Sequence, residues 1–135
     1  MYILYLLIIA IDQILKKIFV SIYDFSASKV ILVKNSGIAF GLFPRNTMII
    51  IGLNFVLLFC LFKFRKHFFQ NNLLHKLSLT FILAGGSSNL IDRIFLGYVI
   101  DFIKVPFIPV FNIADMAINL GLVFLVLGWI NRAKK

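Results

Sequence analysis

The sequence predicts an all-α membrane protein of four transmembrane helices with a small extracytoplasmic β element and both termini cytoplasmic. Three observations predict it. First, 61% of the 135 residues are apolar and 14% charged, with a mean hydropathy of +1.02. A soluble domain carries about 25% charged residues, and a domain this small cannot bury so much apolar surface. Second, apolar stretches close to the ~20 residues that a bilayer requires recur four times. Third, the net charge of +9 comes from 14 Lys and Arg against five Asp and no Glu. The basic residues cluster between the apolar runs, a membrane-protein pattern that argues against a nucleic-acid partner. The single cysteine, Cys60, excludes an internal disulfide and a Cys-based metal cluster.

The four expected spans are about 1–23, 47–64, 77–98 and 114–130, within one integral-membrane domain, 1–135. The first is interrupted by Asp12, Lys16 and Lys17. It lacks a basic start and a small-residue cleavage site, so it reads as a retained helix rather than a signal peptide. Between the first two spans, Lys29-Val-Ile-Leu-Val-Lys34 is followed by Asn35-Ser-Gly37. Strand formers ahead of a turn signal predict a small β element at the membrane surface. The second span is TMIIIGLNFVLLFCLFKF. Between spans three and four, Pro106 and Pro109 prevent a continuous helix through 99–113. Lys63, Arg65, Lys66 and Lys76 fall on the same side as Arg132, Lys134 and Lys135, against Lys29, Lys34, Arg45 and Lys104 opposite. That asymmetry places both termini in the cytoplasm.

Ionisable side chains inside spans are costly and mark function by default. Asp12 and Lys16 stand four apart on one helix face. They read either as an intrahelical ion pair, with Lys17 reaching to the interface, or as support for a substrate site. In the third span, Gly85, Asn89 and Asp92, with Gly86 and Arg93, make one side small and polar. Close helix approach accounts for the glycines. Adjacent Asp92 and Arg93 do not face each other, so each needs partners from elsewhere, which implies a polar centre shared by several helices. Asp101 and Asp115 lie 14 residues apart, about 21 Å along one straight helix. The prolines let the loop fold back and bring the carboxylates together, where they share a proton and activate a water. Two separate solvated loop aspartates fit the same spacing. Asn112 shares a face with Asp115 and Asn119 and stands where it would cap the fourth helix. Cys60 reads as packing or lipid-facing, and Tyr98 and Trp129 as interfacial aromatics. His67 and His75 fall in the basic cytoplasmic loop without acidic neighbours, so no metal site is expected there.

Four motifs now stand in order along the chain: Asp12-Gln13-x-x-Lys16; Asn35-x-Gly37-x-Ala39-Phe40-Gly41; Gly86-x-x-Asn89-x-x-Asp92-Arg93-x-x-x-Gly97-x-Val99-x-Asp101-Phe102; and Phe111-Asn112-x-Ala114-Asp115. In this order, on a four-span chain, they resemble the bacterial lipoprotein signal peptidases (signal peptidase II). The resemblance implies an aspartic membrane endopeptidase that removes the signal peptide of prolipoproteins, cutting before a diacylglyceryl-modified cysteine. It makes Asp101 and Asp115 the catalytic pair. Asn35, Gly37, Asn89, Arg93 and Asn112 correspond to substrate-binding or site-lining residues, and Asp12, Lys16 and Asp92 to supports. It also implies a β-cradle over 24–46 and a multi-pass location in the bacterial inner membrane with the site at its outer face. The expected partners are lipid-modified prolipoproteins and membrane lipids. No metal or organic cofactor is expected, because a carboxylate pair with a bound water suffices. A rival reading is a small transporter subunit or scaffold that uses the polar face as an ion path. Transport favours polar residues at the midplane of pseudo-symmetric halves, and these halves do not match.

Overall fold

The computed structural model describes residues 1–25, 31–37, 46–68 and 72–133. In chain order they form α1 (Tyr2–Phe25), β1 (Val33–Asn35), α2 (Thr47–Lys63), the one-turn α3 (Arg65–Phe68), α4 (Leu73–Leu96), β2 (Val99–Asp101), β3 (Ile103–Val105), β4 (Ile108–Phe111) and α5 (Ile113–Ala133). Of the sequence expectations, Lys29, the Ala39-Phe40-Gly41 part of the second motif, Arg45, Lys134 and Lys135 lie outside the described residues.

Helix α4 is the centre of the molecule, packed against α5, α1 and α2. Small residues make that possible. A Cβ at Gly85 would run into the carbonyl oxygen of Ala114 and sit 2.8 Å from Ile118 Cγ1, so only glycine admits α5 this closely. Ile8, Ala84 and Ala117 form the core between α1, α4 and α5, with Leu4, Tyr5, Ile9 and Phe81 around them. At the start of α4, the Asn72 side chain accepts a hydrogen bond from the His75 N–H at 2.8 Å. At its end, Gly97 takes the left-handed conformation (φ 82°) and donates to the Arg93 carbonyl at 3.1 Å.

The asparagine cap starts α4 four residues ahead of the apolar run from Leu77. His75, expected in a loop, is therefore buried in the first turn of α4, its ring against Gly128 of α5.

On α1 the exposed residues are mostly apolar (Ile3, Leu7, Ile11, Ile14 and Ile18 among them), while Asp12 and Lys16 are 0% and 1% exposed. That is the reverse of a helix on the surface of a soluble domain. Among the described helices α5 alone is both long and apolar enough, by composition, to cross a membrane; α2 is apolar but 17 residues long, about 26 Å. Helices α1 and α4 have 24 residues each and bury Asp12, Lys16 and Asp92, while Lys17 and Lys76 are exposed.

The β element joins the two inter-helix segments. Strand β1 pairs antiparallel with β2, with Val33 opposite Asp101, Lys34 opposite Ile100 and Asn35 opposite Val99. The strand expected before Asn35 thus finds its partner in the segment expected only to be non-helical. That segment also folds into a β3–β4 hairpin, which turns at Pro106 and Phe107 (φ 66°). Phe102, between β2 and β3, stacks on Phe19 of α1 at 4.4 Å between ring centroids.

Candidate active site

Asp101 ends β2, and Asp115 lies in the first turn of α5. The β3–β4 hairpin between them folds the chain back, as the prolines allow. One residue, Asn112, touches both. Its side-chain Nδ2 donates to Asp101 Oδ1 at 2.7 Å, and its backbone N–H donates to Asp115 Oδ2 at 3.2 Å. Its Oδ1 accepts from the Asp115 N–H at 2.8 Å. Asn112 and Asp115 therefore cap α5 reciprocally, in the manner of a capping box with aspartate at the third position.

The remaining carboxylate oxygens are also engaged. Asn35 Nδ2, on β1, donates to Asp101 Oδ2 at 3.0 Å, and Asn89 Nδ2, on α4, donates to Asp115 Oδ1 at 2.8 Å. Asn35 Oδ1 accepts from the Gly37 N–H at 3.1 Å, an Asx turn that sets the end of β1. Arg93 Nη2 reaches the Gly37 carbonyl at 3.0 Å, tying α4 to the same segment. Burial pushes the Asp101 carboxyl up to about 6; the Asn35 and Asn112 hydrogen bonds oppose the shift, and the charge of Asp115 adds to it. Below about pH 6 Asp101 thus holds a proton.

Behind the pair lies a buried ionic layer. Lys16 Nζ is 2.7 Å from Asp12 Oδ2 and 2.7 Å from Asp92 Oδ2. Asp12 Oδ1 accepts from the Ala114 N–H at 2.9 Å, one of the free amides that begin α5, and Ser88 Oγ donates to Asp12 Oδ2 at 2.7 Å. Asp92 accepts from Gln13 Nε2 at 2.7 Å and from the Ile100 N–H at 3.3 Å. A buried ion group of this kind holds only when its remaining hydrogen-bonding capacity is filled. Here the filling groups are the Ser88 hydroxyl, the Gln13 amide and the backbone amides that precede Asp101 and Asp115.

All ten residues singled out from the sequence (Asp12, Lys16, Asn35, Gly37, Asn89, Asp92, Arg93, Asp101, Asn112 and Asp115) lie in this one network. Asn119, on the same face as Asp115 by spacing, is exposed. Two further members of the network are Gln13 and Ser88. Gln13 stands inside the first motif, and Ser88 falls at helical spacing with Gly85 and Asp92, so the signal was the shared face rather than the residue type. Of the two adjacent lysines, Lys16 is buried in the network and Lys17 is exposed. Among the described residues no group of three or more His, Cys or Asp side chains is placed to hold a metal ion.

Residues 4–131 match the family model of signal peptidase (SPase) II. The lipoprotein signal peptidase of Moorella thermoacetica is 34% identical over 128 residues, which cover 89% of this chain and 85% of that one. That of Halothermothrix orenii is 33% identical over 135 residues, covering 93% and 92%. In fold the chain is similar to a solved bacterial membrane enzyme, with a TM-score of 0.84 and 21% identity over 98% of this chain and 88% of the other. A second solved bacterial membrane enzyme gives 0.79 and 23% over 95% and 90%.

Proposed function

The chain belongs to the signal peptidase II family, and from that premise we propose that Asp101 and Asp115 are the catalytic pair of an endopeptidase that frees prolipoproteins of their signal peptides. It acts on the bond before a diacylglyceryl-modified cysteine. The observation that carries the assignment is the shared contact at Asn112, which couples two carboxyls 14 residues apart. Two carboxyls this closely coupled do not both ionise readily, so one proton is shared. Asp115, at the N-terminus of α5, sits where the helix dipole favours negative charge. Asp101, at the end of β2 and away from any helix N-terminus, is the member that keeps the proton in this reading.

Asp115 takes a proton from water as the water oxygen bonds to the scissile carbonyl carbon, and Asp101 gives its proton to the carbonyl oxygen. The tetrahedral adduct then expels the cysteine nitrogen, which receives the proton held on Asp115, while Asp101 takes a proton back from one hydroxyl of the adduct as the carbonyl re-forms. Asn35, Asn89 and Asn112 keep the carboxyls oriented throughout, and Arg93 holds the Gly37 carbonyl beside them.

The whole of 1–135 forms one membrane domain. In this reading α1, α2, α4 and α5 are four spans, with both termini and α3 cytoplasmic and the β element outside. The polar network lies at the end of the helices that carries the β element. A lipid-modified cysteine keeps its acyl chains in the bilayer, so its scissile bond meets the pair at the outer interface of the inner membrane. The purified protein, mixed with a lipid-modified prolipoprotein and no energy source, is expected to release the signal peptide. If it binds the prolipoprotein but releases nothing, the peptidase assignment fails.

A further inference from the structure

We propose that Lys16 is the positioning residue of the pair: its third ammonium proton fixes the amide of Asn89 so that Asn89 donates to Asp115 and keeps that carboxylate the ionised member. This inference rests on Asp101 and Asp115 being the catalytic pair.

An ammonium carries three donors and no acceptor. Lys16 Nζ spends two on Asp12 Oδ2 and Asp92 Oδ2, both at 2.7 Å, and the third on Asn89 Oδ1 at 3.2 Å. Ion pairing explains the first two contacts but not the third. Asn89 Oδ1 also accepts from Asn112 Nδ2 at 3.1 Å. With two donors pointing at one end of the amide, that end must be oxygen; the other way round, the Asn89 NH2 would face an ammonium and a second NH2. The nitrogen therefore faces Asp115 Oδ1, at 2.8 Å. A proton on that oxygen would confront an N–H, so the arrangement favours the carboxylate. The chain from Lys16 through Asn89 to Asp115 thus links α1, α4 and α5.

The charged groups around Asp115 are Asp12 and Lys16 on α1, Asp92 and Arg93 on α4, and Asp101 on β2. Lys16 is the cation among them that reaches Asp115 through a single intervening side chain.

The test is the pH–rate profile for cleavage of a lipid-modified prolipoprotein by purified variants. Lys16→Met alone leaves two buried carboxylates without their cation, so it is paired with Lys16→Met/Asp92→Asn, which removes one positive and one negative charge and preserves the net charge of the group. Losing a hydrogen bond to a charged group moves the acidic limb up by about 1–2 pH units. Below the new limb kcat falls about tenfold per unit of that shift, while KM stays within about twofold. Asn89→Ala, which leaves both ion pairs in place, must move the same limb in the same direction. A merely structural lysine predicts a lower Tm with an unmoved limb. A wild-type acidic limb in the folded double variant overturns the inference, and so does one in Asn89→Ala should the double variant not fold. Asp115→Asn, run alongside, distinguishes the two failures: if it cleaves at the wild-type rate, the catalytic pair itself is wrong.

Discussion

Gly85→Ala is the smallest perturbation expected to separate the activity of this protein from its stability. The added methyl meets the Ala114 carbonyl oxygen and lies 2.8 Å from Ile118 Cγ1. Carbon atoms settle about 3.5–4.0 Å apart, so α4 and α5 must part by roughly 1 Å. The obstacle is backbone, in the first turn of α5, and no side-chain rotation relieves it. Two stability effects oppose each other: replacing a helical glycine contributes up to about 1 kcal/mol, whereas overpacking costs about 1–3 kcal/mol. The net loss is about 0–3 kcal/mol, a modest drop in Tm. Activity suffers more, because the displaced turn carries Asp115, and a misplacement of about 1 Å costs on the order of 100-fold in rate. Gly52→Ala is the control, since a Cβ there meets nothing within 4 Å; its Tm should hold or rise and its rate stay unchanged. The assays are thermal unfolding in detergent and the initial rate of prolipoprotein cleavage. A Gly85→Ala enzyme within about threefold of wild type would refute the reasoning that helix approach sets the position of Asp115.

Three further outcomes are expected. Asn112→Ser keeps an N-cap side chain, so Tm changes by less than a full cap loss of about 1 kcal/mol, but it loses the 2.7 Å bond to Asp101 and the cleavage rate should fall at least tenfold; equal, small losses in both would reduce Asn112 to a cap. Because the Asp101 carboxyl is raised to about 6 from 3.8, the folded state binds the extra proton, and the resulting stability is fully present below pH 3.8 and lost as pH rises through about 6. Activity should decline over the same rise, and the dependence of Tm on pH between 5 and 8 should flatten in Asp101→Asn; an unchanged slope in that variant contradicts the assignment. With Cys60 replaced by Ser, a cysteine at Lys104 should react with an impermeant thiol reagent in intact cells and one at Lys66 should not; the reverse pattern would invert the topology.

Local spacing made much of the site readable from the chain. The interval of four between Asp12 and Lys16 corresponds to an ion pair at 2.7 Å, and Asn112, three residues ahead of Asp115, caps α5. The conflict between adjacent Asp92 and Arg93 resolves as the helix geometry required: Asp92 turns to Lys16, and Arg93 to the Gly37 carbonyl. What spacing does not encode is pairing between distant segments. Nothing within 24–46 names Val99–Asp101 as the partner of β1, because the pairing is set by how α1 and α4 place the two loops. His75 was misplaced for a related reason: hydropathy marks where a helix becomes apolar, not where its cap begins, and the space for the ring is made by Gly128, 53 residues on. The distinction between Lys16 and Lys17 is likewise rotational, a matter of 100° around α1 that only the packed helices decide.

Conservative removal of each carboxyl separates a catalytic pair from two structural aspartates. Asparagine keeps the size of aspartate and part of its hydrogen bonding but cannot hold or release the shared proton. Purified Asp101→Asn and Asp115→Asn should each fold, insert into membranes and bind a lipid-modified prolipoprotein, yet release no signal peptide across the pH range where the wild-type protein is active. Processing by either folded variant at near the wild-type rate would contradict the account.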